Sequence, residues 1–251
     1  MSFISAHKSD VGRKRHQNED YIWVDEHRGL YIVADGMGGH EAGEVASELA
    51  ATTIGKFVTD KLKNQSANLS KDVIKQLLVD AIETANETVF NTAKEAEQKR
   101  RMGATIVVAL IQPPTVYISH AGDARAYLAR GSTIMQLTED DSWGAKFAST
   151  GSGSNVGERP NKLDHILTKA IGQESMLKPS FTEVKVVPGD WLLLCSDGLW
   201  NMVEDEQTLA ELQKAENDPI HAVEALVAAA NAAGGKDNIS VSVIKILAPE
   251  K

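Results

Sequence analysis

Apolar residues recur along the chain with two distinct periods, and the period predicts the element. Tyr21-Ile22-Trp23-Val24 and Leu30-Tyr31-Ile32-Val33-Ala34 are short β-prone runs, and the polar stretch Asp25 to Gly29 between them predicts a hairpin. The second run stops at Asp35-Gly36-Met37-Gly38-Gly39, a glycine cluster of the kind that ends a strand and admits close backbone approach. From Glu41 to Leu62 the residues Ala42, Val45, Ala46, Leu49, Ile54, Phe57 and Val58 recur near the helical period. A second helix opens with Ser70 as N-cap. Leu69 and Ile74 are placed as its hydrophobic staple, and Val73, Leu77, Ala81, Ala85 and Val89 continue one stripe.

After Gly103 the period changes. Ala104 to Ile111, Val116 to Ser119 and Ala124 to Ala129 read as three successive strands, with turns at Pro113-Pro114 and Gly122-Asp123, which predicts an antiparallel meander. Ser142 to Asn161 is rich in Gly, Ser and Asn and reads as the longest loop. Trp191 to Cys195 is a near-continuous apolar strand ending at Asp197-Gly198. Asp218-Pro219 caps a helix through Ala230, and Ile239, Val241 and Val243 alternate with Ser240 and Ser242 in a closing strand. No repeat, linker or compositional break interrupts residues 1–251, so the reading is one domain.

Composition narrows the partners. The 251 residues are 42% hydrophobic and 24% charged, enough to bury a core. Acidic groups outnumber basic ones by 35 to 26, a formal charge of -9 that repels phosphodiester backbones and anionic membranes, so neither nucleic acid nor membrane is expected as a partner. The start of the chain carries charge early and has no apolar signal region. The single cysteine, Cys195, sits in an apolar run with no thiol to pair with, which points to a reducing, cytoplasmic setting and a soluble protein.

The excess of carboxylates is either a solvated face or partly a cation site. Two apolar strands run directly into Asp-Gly, at Asp35-Gly36 and Asp197-Gly198, and Asp237 precedes a third. Each Asp-Gly alone is an ordinary turn signal. If the strand ends meet, three carboxylates share a dry site, raise one another's pKa, and call for a divalent cation. An all-oxygen donor set without thiolates suits Mg²⁺ or Mn²⁺ rather than zinc. Glu19 and Asp20 add two carboxylates before the first strand. In the basic cluster Arg13-Lys14-Arg15-His16, Arg13 and Lys14 read as a solvated turn, whereas the guanidinium fork of Arg15 suits a phosphate. Asp123 is either a turn residue or a further metal ligand.

These residues lie in segments that resemble the metal-dependent protein serine/threonine phosphatases of type 2C, in their compact bacterial form. The segments are Gly12 to Asp20, Val33 to His40, Met102 to Thr105, Ala121 to Leu128, Gln136 to Ser142, Leu167 to Gly172, Gly189 to Leu199 and Lys236 to Val243, in the family's order over almost the whole chain. The resemblance implies an α+β fold, a four-layer α-β-β-α sandwich of two mostly antiparallel sheets flanked by helices, with a flap at about 143–165. It implies a two-metal centre of Mn²⁺ or Mg²⁺ in which Asp35 bridges, the Gly36 carbonyl binds one ion, Asp197 and Asp237 complete the set, and Glu19 holds metal-bound water. Asp123 with Asp197 matches a third, weaker position, and Arg15 matches the phosphate-binding arginine. The implied reaction is hydrolysis of phosphoserine and phosphothreonine by direct attack of a metal-activated water, on phosphoproteins made by Ser/Thr kinases, by a monomer.

Several positions depart from the family. Met37 stands where many eukaryotic members carry a histidine proposed as general acid, which leaves that role unassigned, with His40 and His165 read as structural or surface groups. Asp141 replaces a frequent histidine and Ala104 a frequent Thr or Ser, neither touching the expected ligand set. Cys195 is expected to be inert core rather than a nucleophile. Two alternatives carry different expectations: a pseudophosphatase-type binding module, which would lack a key aspartate, and a hydrolase of small phosphate esters.

Overall fold

Strands that are apolar on both faces can only be stacked between layers, and this sequence contains several. The computed structural model describes residues 1–38, 41–63, 69–95, 102–149 and 166–249. In chain order the elements are β1 (Ser2–Asp10), β2 (Asp20–Asp25), β3 (Leu30–Met37), α1 (Glu41–Leu62), α2 (Lys71–Glu95), β4 (Gly103–Gln112), β5 (Thr115–Ala121), β6 (Arg125–Arg130), β7 (Thr133–Gln136) and α3 (Trp143–Ser149). They continue with β8 (Ser180–Lys185), β9 (Trp191–Cys195), α4 (Asp197–Trp200), α5 (Asp205–Lys214), α6 (Pro219–Ala232) and β10 (Ile239–Leu247). One sheet has the order β1-β10-β9-β6-β7 and the other β2-β3-β4-β5-β8, and the paired strands are antiparallel throughout.

Alternation along each strand builds the layers. Tyr31 and Val33 of β3, Val107 and Ala109 of β4, Leu192 and Leu194 of β9, and Ile244 and Ile246 of β10 meet between the sheets. The opposite faces of β3 and β4, with Leu30, Ile32, Ile106 and Val108, pack on α1 and α2 through Ala46, Ile54, Ile74, Leu78 and Ile82. On the other side, Leu193, Cys195, Val241 and Val243 pack on α5 and α6 through Leu212, Leu226 and Ala230. The result is the expected four-layer sandwich. Among the described residues no helix is long and apolar enough to cross a membrane.

The expected hairpin of β2 and β3 is present, but β3 runs on through Asp35 and Gly36 to Met37, because β4 continues to pair with it as far as Gly103. The meander is corrected. β4 and β5 form a hairpin, whereas β6 leaves that sheet at Gly122-Asp123 and joins β9 in the other. Gly122 makes the departure with a positive φ of 104°, packed so tightly on Thr105 that a side chain would not fit. Val45 and Val73, expected in buried stripes, are each 45% exposed; Ala46 and Ile74, one position on, take the inward places. The stretch expected as one long loop, 142–161, carries helix α3 near its start, and its remainder, 150–161, lies outside the described residues, as do His40 and His165.

Leu194 sits at the centre of its sheet, opposite Ser242 on one side and Ala126 on the other, fully buried between the layers. Leu194→Ala is expected to lower stability by about 2–5 kcal/mol, and Met135→Ala, at a 52% exposed position, by no more than about 0.5 kcal/mol. Urea denaturation of the two variants checks this, and equal losses would contradict the layer assignment.

Candidate active site

The strand ends that carry Asp35, Asp197 and Asp237 open into one cavity. Asp35 and Gly36 lie near the end of β3; Asp20 opens β2 directly opposite Asp35, and Thr105 faces Asp35 from β4. Asp123 lies in the crossover from β5 to β6, Asp197 begins α4 just after β9, and Asp237 precedes β10. Arg15 and Glu19 come from the segment between β1 and β2. Arg15, Glu19, Asp35, Gly36, Asp123, Asp197 and Asp237, all seven residues singled out in the sequence, line a single cavity of about 730 Å³.

The approach of these segments depends on glycines. A Cβ on Gly36 would collide with the carbonyl oxygens of Gly43 and Glu19, one on Gly43 would strike the Glu19 carboxylate, and one on Gly198 would strike the Asn238 carbonyl. Between these contacts the loops are pinned by hydrogen bonds. Gly36 N donates to Glu19 O at 3.0 Å, and Ser47 Oγ of α1 donates to the same oxygen at 2.5 Å. Asn238 accepts from Glu19 N at 2.8 Å through Oδ1, and its Nδ2 donates to Val11 O and Gln17 O, each at 2.9 Å. One buried amide thus fastens both ends of the Arg15 segment to the start of β10.

The Asp123 turn is braced twice. Trp200 Nε1 donates to Asp123 O at 3.0 Å while its ring stacks under Arg125, whose fork holds Asp140 through Nε and Nη2 at 2.9 and 2.7 Å. From the other side, Asp141 N donates to Gly122 O at 2.9 Å and Gly122 N donates back to Asp141 Oδ2 at 3.2 Å. Asp141 also accepts from Thr168 N at 2.7 Å and pairs with Lys169 at 2.6 Å. Asp141 therefore ties residues on both sides of 143–165 to the turn. As expected, Asp141 does not line the cavity.

Electrostatics at the cavity are governed by crowding. The Asp35 side chain keeps an opening to the cavity, yet desolvation pushes its carboxyl well above the usual carboxylate range, and the charges of Asp20, Asp197, Asp123 and Asp237 push it further. Burial, then the charges of Asp197 and Asp140, raises Asp123 to about 7. Burial likewise raises Asp20 to about 7, against the 2.7 Å hydrogen bond it accepts from Ser196 Oγ. Arg15 Nη2 reaches Asp237 Oδ2 at 2.6 Å.

Among the described residues no three His, Cys, Asp or Glu side chains already converge on one point as a ligand cluster; like charges in one cavity repel. The donor chemistry nevertheless fits a hard divalent cation. The acidic donors are all oxygen and mutually destabilised, Gly36 lets the backbone come close beside Glu19, and Thr105 Oγ1 is buried against the cavity without a hydrogen-bond partner. No imidazole lines the cavity among the described residues, and Met37 sulfur there accepts from Gln173 Nε2 at 3.2 Å. Cys195 is sealed in β9, where burial pushes its thiol far up, so it is inert core as expected.

Two positioning residues escaped the sequence reading. Asp20 was counted only as a nearby charge, although its place opposite Asp35 follows from the hairpin register. Asn238 carries no chemistry a sequence pattern singles out, because its role lies in bonds to residues more than two hundred positions away.

Comparison with known proteins agrees with the geometry. The family described as protein phosphatase 2C matches residues 12–228. The chain is 35% identical over 241 residues to the serine/threonine phosphatase stp of Listeria monocytogenes, covering 95% of this chain and 94% of that one. It is 34% identical over 242 residues to protein phosphatase PhpP of Streptococcus pneumoniae, covering 95% of each. Among solved structures, the catalytic domain of the serine/threonine protein phosphatase PstP in complex with two manganese ions superposes with a TM-score of 0.82 at 30% identity, covering 98% of this chain and 99% of that one. The chain belongs to the protein phosphatase 2C family.

Proposed function

We propose that the protein is a Mn²⁺- or Mg²⁺-dependent protein serine/threonine phosphatase, acting as one catalytic domain on phosphoproteins made by Ser/Thr kinases. The observation that carries this reading is the meeting of Arg15, Glu19, Asp35, Gly36, Asp123, Asp197 and Asp237 in one cavity. In this reading Asp35, Asp197, Asp237 and the Gly36 carbonyl would hold two divalent cations, Glu19 would orient a water beside them, and Asp123 with Asp197 would serve a third, weaker position. When bound, such cations neutralise phosphoryl charge and lower the pKa of water, so that hydroxide is available near neutral pH.

The chain's own groups do the rest. Arg15 turns one Nη toward Asp237, and this pairing orients the guanidinium so that its remaining N–H groups receive phosphate oxygens. The cavity volume suits a single phosphorylated side chain rather than a folded domain. With the cysteine sealed in the core and no imidazole at the cavity among the described residues, neither a phosphocysteine nor a phosphohistidine is supported, and attack by a metal-activated water requires no phosphoenzyme. The seven residues meet without a contribution from a second copy, and the reading takes the protein as a monomer. The lone buried thiol supports a cytoplasmic setting.

Dephosphorylation of a phosphothreonine peptide with Mn²⁺ is expected to vanish with chelator and to fall by roughly a hundredfold or more, about 2.7 kcal/mol of barrier, in Asp35→Asn and in Asp197→Asn. Full turnover under any of these conditions would sink the reading. Arg15→Ala is expected to raise KM by about tenfold or more with a smaller change in kcat; unchanged constants would remove Arg15 from the phosphate site.

A further expectation concerns pH in the chelator-treated protein. Asp123 is protonated in the folded state below about pH 7 and ionised in the unfolded state above its ordinary value of 3.8. Stability from this group is therefore full at low pH and is lost as pH rises through 7. Asp123→Asn should match the wild type in thermal stability at about pH 4, exceed it increasingly up to about pH 7 and hold that margin above, on the order of 1.4 kcal/mol per pKa unit at most. A constant difference across that range would contradict the assigned shift.

A further inference from the structure

The cavity holds a second cation that the proposed reaction does not use. Lys236 lines it together with Arg15 and Asp237 and is exposed. Arg15 is committed to Asp237, whereas among the described residues no ion pair engages Lys236. Its backbone is held on both sides. Gly235 N donates to Ala230 O at 3.0 Å, and Gly235 O accepts from Arg13 N at 2.7 Å and from Lys14 N at 3.2 Å. Gly235 takes a positive φ of 48°, so close to Arg13 that a Cβ would stand 2.8 Å from its nitrogen. On the other side, Asn238 fixes the chain two residues on. The root of Lys236 is therefore rigid while its four-carbon stem is free to swing.

The same bonds place the basic segment Arg13-Lys14-Arg15-His16 beside Lys236, and all four of those residues are exposed. A chain of net charge -9 repels acidic segments at long range, so any recognition of them has to be local, and this rim gathers Arg13, Lys14, Arg15 and Lys236. We infer that Lys236 receives a second anionic group of the substrate, a carboxylate or a second phosphate on a residue adjoining the phosphorylated serine or threonine. The inference rests on the phosphatase reading and adds a substrate class to it: acidic or multiply phosphorylated segments. An extended peptide advances about 3.4 Å per residue, so the side chain one or two positions from the phosphoresidue passes within reach of the lysine. Arg15, a planar fork already oriented by Asp237, suits the reacting phosphate; Lys236, a mobile point charge, suits an anion of variable position.

The test uses the Mn²⁺-loaded enzyme and three phosphothreonine peptides that differ only in the adjoining residue: alanine, glutamate or phosphoserine. The wild type is expected to show kcat/KM about two- to fivefold higher on the glutamate or phosphoserine peptide than on the alanine peptide, the range of an exposed charge pair, and to lose the preference as salt is raised. Lys236→Gln should abolish the preference and Lys236→Glu should reverse it. Preference for the phosphoserine peptide alone assigns the subsite to phosphate, and preference for the glutamate peptide as well assigns it to anions in general; both support the inference. Equal kcat/KM on the three peptides, or a preference that survives in Lys236→Gln, overturns it while leaving the phosphatase reading intact. No Mn²⁺-dependent turnover of any peptide overturns both.

Discussion

Like charges confined in a poorly hydrated space set the terms for the whole molecule. Two unit charges about 4 Å apart repel by about 4 kcal/mol at the effective dielectric of a protein surface region, and this chain points several carboxylates at one cavity. Such a gathering persists only if packing elsewhere holds the segments that carry it. The three apolar layers do so, because β3, β9 and β10 each bury both faces and carry an aspartate at or next to one end. Hydrophobic burial and electrostatic tension are thereby spatially separated along the same strands.

The polar scaffold around the cavity is made of contacts between distant parts of the chain. Arg15 and Asp237 are 222 residues apart, and Ser196 and Asp20 are 176 apart. Ser240 and Ser242, which read as the polar side of an alternating strand, are fully buried rather than solvated. Ser240 N takes a 3.0 Å bond to Ser196 Oγ, the hydroxyl that also donates to Asp20. The polar face of β10 thus supports the acidic end of the sandwich, and the cavity forms only when both sheets are in place.

Much of this was legible in the sequence. Leu30 to Ala34 and Trp191 to Cys195 read as strands because burial on both faces leaves no polar positions, and their Asp-Gly endings marked the cavity. The helix stripes and the Asp218 cap, which accepts from Ile220 N and His221 N, follow from local rules. What escaped depends on non-local pairing. β1 alternates exposed and half-buried residues, Lys8 and His7 among them, and becomes a strand only through its nine-residue ladder with β10. The departure of β6 to the second sheet leaves no periodic trace, since Ala126 to Ala129 is a continuous apolar run that would read the same in either sheet. Asn238 has no distinguishing local pattern at all.

The sealed position of Cys195 gives the protein a particular reagent profile. A thiol held neutral in the interior of β9 offers alkylating agents and peroxide nothing to attack in the native state. The oxidisable sulfurs at the cavity are instead the thioethers of Met37, held by Gln173, and of Met202. Inactivation by a maleimide would report unfolding, whereas inactivation by peroxide without unfolding would report sulfoxide formation at the cavity wall.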